Sequence, residues 1–262
     1  MQRHPILWFY LLAFSISWIG LIPAVLGSQG IAPFDSLFVQ FFSIFFSVGP
    51  ALAAVIMSQI TQGKIGSQHL LNALLKWQVG WVWYLVALLG PAVILIAGQF
   101  MTTILGLTSP PSELEGNPFL LGITVFIVIL SNTSEEIGWR GFALPHLQKR
   151  YNALFSTLIV GLLWSFWHFP ILFLMRSPMD QSHLPWLISI VANAFVYTWL
   201  YNSTQGSILL VALLHISGNI FGAWITGVSP IAYAILSCLE AITLILVFGS
   251  INLSNQKRVY LG

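Results

Sequence analysis

Charge is what this sequence has least of. Of 262 residues, nine are Lys or Arg and seven are Asp or Glu, 6% in all, against 57% hydrophobic. A water-soluble globular domain carries about 25% charged residues, so that class is excluded. Cysteine is nearly absent as well. Cys238 stands alone, which rules out an internal disulfide and any multi-cysteine metal site, and without a basic neighbour it reads as a packing residue. No basic tract occurs and the net charge is only +2, so nucleic acid is not a partner. The alternating pattern of a spanning β-barrel is missing. So is the His-Glu-x-x-His helix of the common zinc proteases.

Long apolar runs are what the chain does have. Eight of them approach the ~20 residues a bilayer requires. They are Ile6–Leu26, Leu37–Ile60, Trp81–Leu105, Pro118–Ile137, Leu154–Phe173, Leu184–Tyr201, Ser207–Ile225 and Ile231–Ile251. The expected architecture is all-α: a polytopic membrane helix bundle of about eight transmembrane helices, a single membrane domain over 1–262 with short loops. The first run has a small-residue site near Gly27 but is longer than a signal-peptide core, so it is expected to remain as the first helix. With the N-terminus inside, Arg3, Lys64, Lys76, Arg140, Lys149, Arg150, Lys257 and Arg258 fall on the cytoplasmic side and only Arg176 outside. Both termini are then cytoplasmic, in a cell membrane of bacterial type.

Two features interrupt the pattern. Ser67–Val79 alternates Leu70, Leu71, Leu74, Leu75 and Trp77 with His69, Asn72 and Lys76. This is either a helix lying along the cytoplasmic surface or the amphipathic start of the third span. Gly49-Pro50 and Gly90-Pro91 predict kinks in the second and third spans, or the broken helices of a transporter.

Acids inside apolar runs need a reason, because a charge in a membrane helix costs roughly 2.5–3.5 kcal/mol on insertion scales. Glu135 and Glu136 are adjacent at the end of the fourth run. Consecutive helical residues point about 100° apart, so the two acids face different neighbours. Glu136 and Arg140 share a face at i,i+4 and can satisfy each other. Glu135 is left to point into the bundle as the reactive carboxylate. His168, in Trp164-Ser165-Phe166-Trp167-His168, has only Ser165 as a polar neighbour, so its partner is expected from another helix. His215 and Asn219 lie one turn apart and present two donors from one face, as an oxyanion requires. Gly218 beside them suggests close approach of a backbone or substrate. At ~1.5 Å per residue, His168 lies roughly 21 Å and His215 roughly 12 Å along their helices, whereas Glu135 lies near the end of its own. A fourth helix that is tilted, or longer than Ile137, would remove that mismatch.

These residues resemble the three motifs of the CPBP family, which includes CAAX prenyl endopeptidases and bacteriocin-processing or immunity proteins. They read Glu135-Glu136-x-x-x-Arg140, Trp164-x-x-x-His168 and His215-x-x-x-Asn219, in the family's order, within a core region over 118–226. The Gly-Pro-Ala-Leu-Ala-Ala stretch from Gly49 is similar to the family's second span. The second motif commonly opens with Phe, and Trp164 is expected to change packing more than chemistry. The resemblance implies an intramembrane endopeptidase of the glutamate type. Glu135 would be the general base, ionised at the start of turnover, and His168 would help to orient and activate water. His215 and Asn219 would stabilise the oxyanion, with Glu136 and Arg140 in support. No cofactor is expected. The alternative is a zinc ion held by Glu135, His168 and His215.

The expected partners are membrane lipid and a peptide or membrane-protein substrate, such as a peptide pheromone, a bacteriocin leader or a membrane-protein tail; composition does not reveal the oligomeric state. Two alternatives of other classes stand beside the protease: a non-proteolytic immunity or membrane interaction protein of the same fold, and a small-solute transporter. Glu240 lies deep in the eighth run, where a protonated acid hydrogen-bonded to a neighbouring helix is expected.

Overall fold

The computed structural model describes residues 1–34, 36, 43–109, 118–174 and 183–260, with the side chains of 118–121 outside that description. Arg176 and the first residues of the second expected span, 37–42, also lie outside the described residues. The helices are α1 (Pro5–Ser28), α2 (Ile44–Gln62), α3 (Lys64–Leu74), α4 (Trp81–Ile104), α5 (Pro118–Glu136), α6 (Leu144–Gln148), α7 (Ala153–Trp167), α8 (His183–Ser203), α9 (Ile208–Trp224) and α10 (Pro230–Asn252). A π-helical segment, Ile137–Ala143, joins α5 to α6, and a 3₁₀ turn, Phe169–Phe173, extends α7. No strand occurs among the described residues. Six helical stretches among them are long and apolar enough to cross a membrane: α1, α2, α4, α7 with its 3₁₀ extension, α8 and α10. Helix α9 is a shorter apolar helix. The protein is an all-α polytopic bundle.

Prolines 23, 50 and 91 sit inside helices that stay continuous, and the last two share one solution. Each lacks the N–H that would bond the carbonyl four residues earlier, and a freed carbonyl in hydrocarbon needs another donor. Both are supplied from neighbouring helices. Ser17 Oγ donates to the Phe46 carbonyl at 3.3 Å, and Ser217 Oγ donates to the Ala87 carbonyl at 2.6 Å. The prolines therefore tie α1 to α2 and α4 to α9. Small residues allow the remaining close approaches. A Cβ on Gly138 would lie 2.6 Å from Pro50 Cβ, and one on Gly161 would lie 3.0 Å from Ala194 Cβ.

The fourth span is longer than the sequence reading placed it. Helical backbone continues past Glu136 through the π segment to Gln148. This removes the depth mismatch, because Glu135 and Glu136 lie inside the rod instead of at its end. Arg140 also lies within that rod, and its side chain is fully buried. The segment at 67–79 divides. Gly63, with φ +63°, turns the chain from α2 into the separate helix α3, and non-helical residues precede Trp81. It is therefore not the start of the next span. Glu240 is half-buried on α10, and its carboxyl finds no hydrogen-bond partner among the described residues, contrary to the expected interhelical bond. Its helix face is only partly covered.

Candidate active site

Arg140 follows Glu136 by one helical turn, and its Nη1 lies 3.1 Å from both oxygens of the Glu136 carboxylate. Both side chains are fully buried. The guanidinium carbon also lies 4.8 Å from the Trp164 ring centroid and 4.6 Å from that of Tyr197. These two faces compensate for Nε and Nη2, which have no hydrogen-bond partner among the described residues. His215, from α9, adds a third contact to the same acid: its Nδ1 lies 2.9 Å from Glu136 Oε1. Glu136 is thus the counter-charge of a cross-helix network. A carboxylate on one ring nitrogen fixes the imidazole's orientation and turns the other, Nε2, outward as the free site.

Glu135 points elsewhere, as the 100° spacing requires. It is buried, and the indole Nε1 of Trp164 donates to its Oε2 at 2.7 Å. Ser131 Oγ approaches Oε1 at 3.4 Å. Trp164, expected to change packing more than chemistry, also supplies this bond: a phenylalanine in that place has no N–H to offer. His168 supplies a correction. Its Nδ1 lies 2.9 Å from the carbonyl of Trp164 on its own helix, so its partner does not come from another helix. The cause is the end of α7. The His168 amide turns to Ser165 O, leaving the Trp164 carbonyl free, as last-turn carbonyls are. The His168 ring sits among Trp164, Trp167 and Trp186, with centroids 5.9, 4.7 and 5.1 Å away.

Asn219 Nδ2 donates to Asn132 Oδ1 at 3.1 Å, which joins α9 to α5 one turn before Glu135. Asn132 is buried and its own Nδ2 has no partner among the described residues. Gly218 does not serve a tight approach, because a Cβ there would meet Pro91 at an ordinary 3.8 Å.

Trp164 gathers the expected residues. Its N–H holds Glu135, its carbonyl holds His168, its face covers Arg140, and its ring lies 5.4 Å from that of His215. His215 is close enough to interact electrostatically with both Glu135 and His168. Tyr197, 5.3 Å from His215, and Asn132 complete the group. Sequence reading missed both. Asn132 carried a weak signal, one turn before Glu135, whereas Tyr197 on α8 carried none. Among the described residues, no three His, Cys, Asp or Glu side chains are gathered as a metal ion requires. The set Glu135, His168 and His215 does not form that arrangement, and no step is derived through zinc.

A chain of polar residues this deep in an apolar bundle resembles known proteins over the same stretch. Residues 117–221 match the family described as "Type II CAAX prenyl endopeptidase Rce1-like". A relative named CAAX prenyl protease 2, from Methanococcus maripaludis, is 33% identical over 144 residues, covering 52% of this chain and 53% of that relative. The chain thus spans about half the length of the curated relative it matches.

Proposed function

Residues 117–221 match the type II CAAX prenyl endopeptidase model, and from that likeness we propose that the chain is a CPBP-type membrane endopeptidase that hydrolyses a peptide bond of a membrane-associated peptide or protein through Glu135. The observation that supports this most is the division of labour between the two acids. Glu136 is occupied by Arg140 and His215, whereas the hydrogen bonds to Glu135 among the described residues come from the neutral donors Trp164 and Ser131. A carboxylate so held can take a proton from water while keeping its orientation.

In the proposed reaction, Glu135 removes that proton and the hydroxide adds to the scissile carbonyl carbon. His168, fixed through Nδ1, uses Nε2 to orient the water. The oxyanion receives hydrogen bonds from His215 and from the second N–H of Asn219, the first being engaged by Asn132. With Nδ1–H given to an ionised Glu136, His215 donates from Nε2 only when the ring carries both protons. Glu136 is the counter-charge for that state, and Arg140 keeps Glu136 in place. Glu135 then passes its proton to the departing amine nitrogen as the C–N bond breaks, which returns the site to its starting state. The chemistry is metal-free in this reading, with the site accessible from the cytoplasmic leaflet and both termini cytoplasmic.

The test compares membrane-peptide proteomes of cells expressing wild type or Glu135→Gln, with and without chelator. Cleavage products should depend on Glu135 and survive chelation. Full biological activity of Glu135→Ala would instead support an immunity or interaction protein.

A further inference from the structure

A cavity with a mainly apolar lining and several polar side chains lies at the far side of the π segment, outside the Trp164 network. It has a volume of about 230 Å³. Gln62, His69, Asn72 and Lys76 line it from α2, α3 and the turn that follows; Gln205 closes one side and Gly141 contributes to the floor. The inward face of α3 forms the long wall, since residues 66, 69, 70 and 73 recur at helical spacing.

Lys76 is the cation of this cavity, and it is held at both ends. Its Nζ donates to the Gln205 carbonyl at 2.7 Å, and its own carbonyl accepts from Ser207 Oγ at 2.7 Å. Gln205 and Gly206 both have positive φ, 53° and 92°, and this turn presents the Gln205 carbonyl to the lysine. Two ammonium protons remain for a ligand.

None of the lining residues is acidic, and neither α3, the turn 75–80 nor the tail 253–260 contains an acid. Lys64, Lys149, Arg150, Lys257 and Arg258 belong to the same stretches or to the loop after α6. The field at this end is therefore cationic, and its complement is an anion.

The depth of the cavity identifies which anion. Lys76 precedes Trp81, the first residue of a spanning helix, by only five positions. Trp77 and Trp81 are 64% and 72% exposed. Exposed tryptophans next to a span belong at headgroup level. Leu71 on α3 and Leu75 just after it are 52% and 62% exposed, and such a surface is stable against acyl chains and costly in water.

We infer that this cavity binds the phosphate of an anionic phospholipid, with Lys76 as its principal contact and His69, Gln62 and Asn72 as hydrogen-bonding partners. The lipid pins α3 against the π segment, one residue from Arg140. The site is independent of the proteolytic reading, because its readout is lipid binding.

The experiment measures phosphatidylglycerol and phosphatidylcholine binding to the purified full-length protein by native mass spectrometry. Wild type should retain phosphatidylglycerol in preference to phosphatidylcholine. Lys76→Gln should weaken phosphatidylglycerol binding about fivefold, the effect of one cation at an anionic surface. Lys76→Arg should bind as wild type does, which separates loss of charge from loss of fold. Lys149→Gln, an exposed position outside the cavity, should change binding less than about twofold. Equal retention of the two lipids, equal losses in Lys76→Gln and Lys149→Gln, or displacement of the lipid by excess inorganic phosphate would each overturn the inference.

Discussion

The indole of Trp164 is the joint on which the proposed chemistry turns, and a double-mutant cycle measures it. Trp164→Phe keeps an aromatic ring over Arg140 but deletes the N–H that reaches Glu135 Oε2 at 2.7 Å. Glu135→Met keeps length and removes the acceptor. A hydrogen bond to a charged group contributes about 1.5–3 kcal/mol. Interhelical hydrogen bonds between uncharged groups in membranes average only about 0.6 kcal/mol. The coupling energy therefore reports both the bond and the state of the acid. Unfolding free energies of wild type, the two single variants and the double variant, measured by reversible unfolding in mixed micelles, give that coupling. The expected value is at least about 1.5 kcal/mol, which an ionised Glu135 requires. A value near 0.6 would mean a neutral acid and contradict the general-base role. Additivity would mean that the indole does not hold Glu135 at all.

Two further outcomes follow from the packing around the site. Ser217→Ala removes the donor to the carbonyl freed by Pro91, with an expected loss of about 1–2 kcal/mol; adding Pro91→Ala restores a backbone N–H and should recover most of it in the same unfolding assay. Gly138→Ala drives a methyl into Pro50 and should destabilise by about 1–3 kcal/mol, whereas Gly218→Ala, which meets Pro91 only at 3.8 Å, should melt close to wild type.

What the sequence disclosed follows the range of each physical signal. The Glu136–Arg140 pair was legible because helical spacing alone brings residues four apart together, and the structure holds them at 3.1 Å. The apolar runs were legible because bilayer thickness sets their length. Contacts between helices carry no such period. Neither the reach of His215 to Glu136 nor that of Trp164 to Glu135 could be derived from spacing, since each depends on how separate rods are rotated. The partner of His168 was misplaced for a different reason. A helix was assumed to continue, and its end at Trp167 released the carbonyl that the ring uses. The burial of Arg140 was hidden because the apolar run ends at Ile137, whereas π-helical backbone carries the rod on past it inside the bundle. Such segments occur often at functional sites.

The central claim is that one carboxylate, Glu135, drives peptide-bond cleavage without a metal ion. The most direct measurement is the set of peptides released in membranes carrying wild type or Glu135→Gln, each with and without chelator. Products present with wild type, lost in Glu135→Gln and unchanged by chelation are the predicted result. The same products from the Glu135→Gln membranes, or their loss on chelation alone, would contradict it.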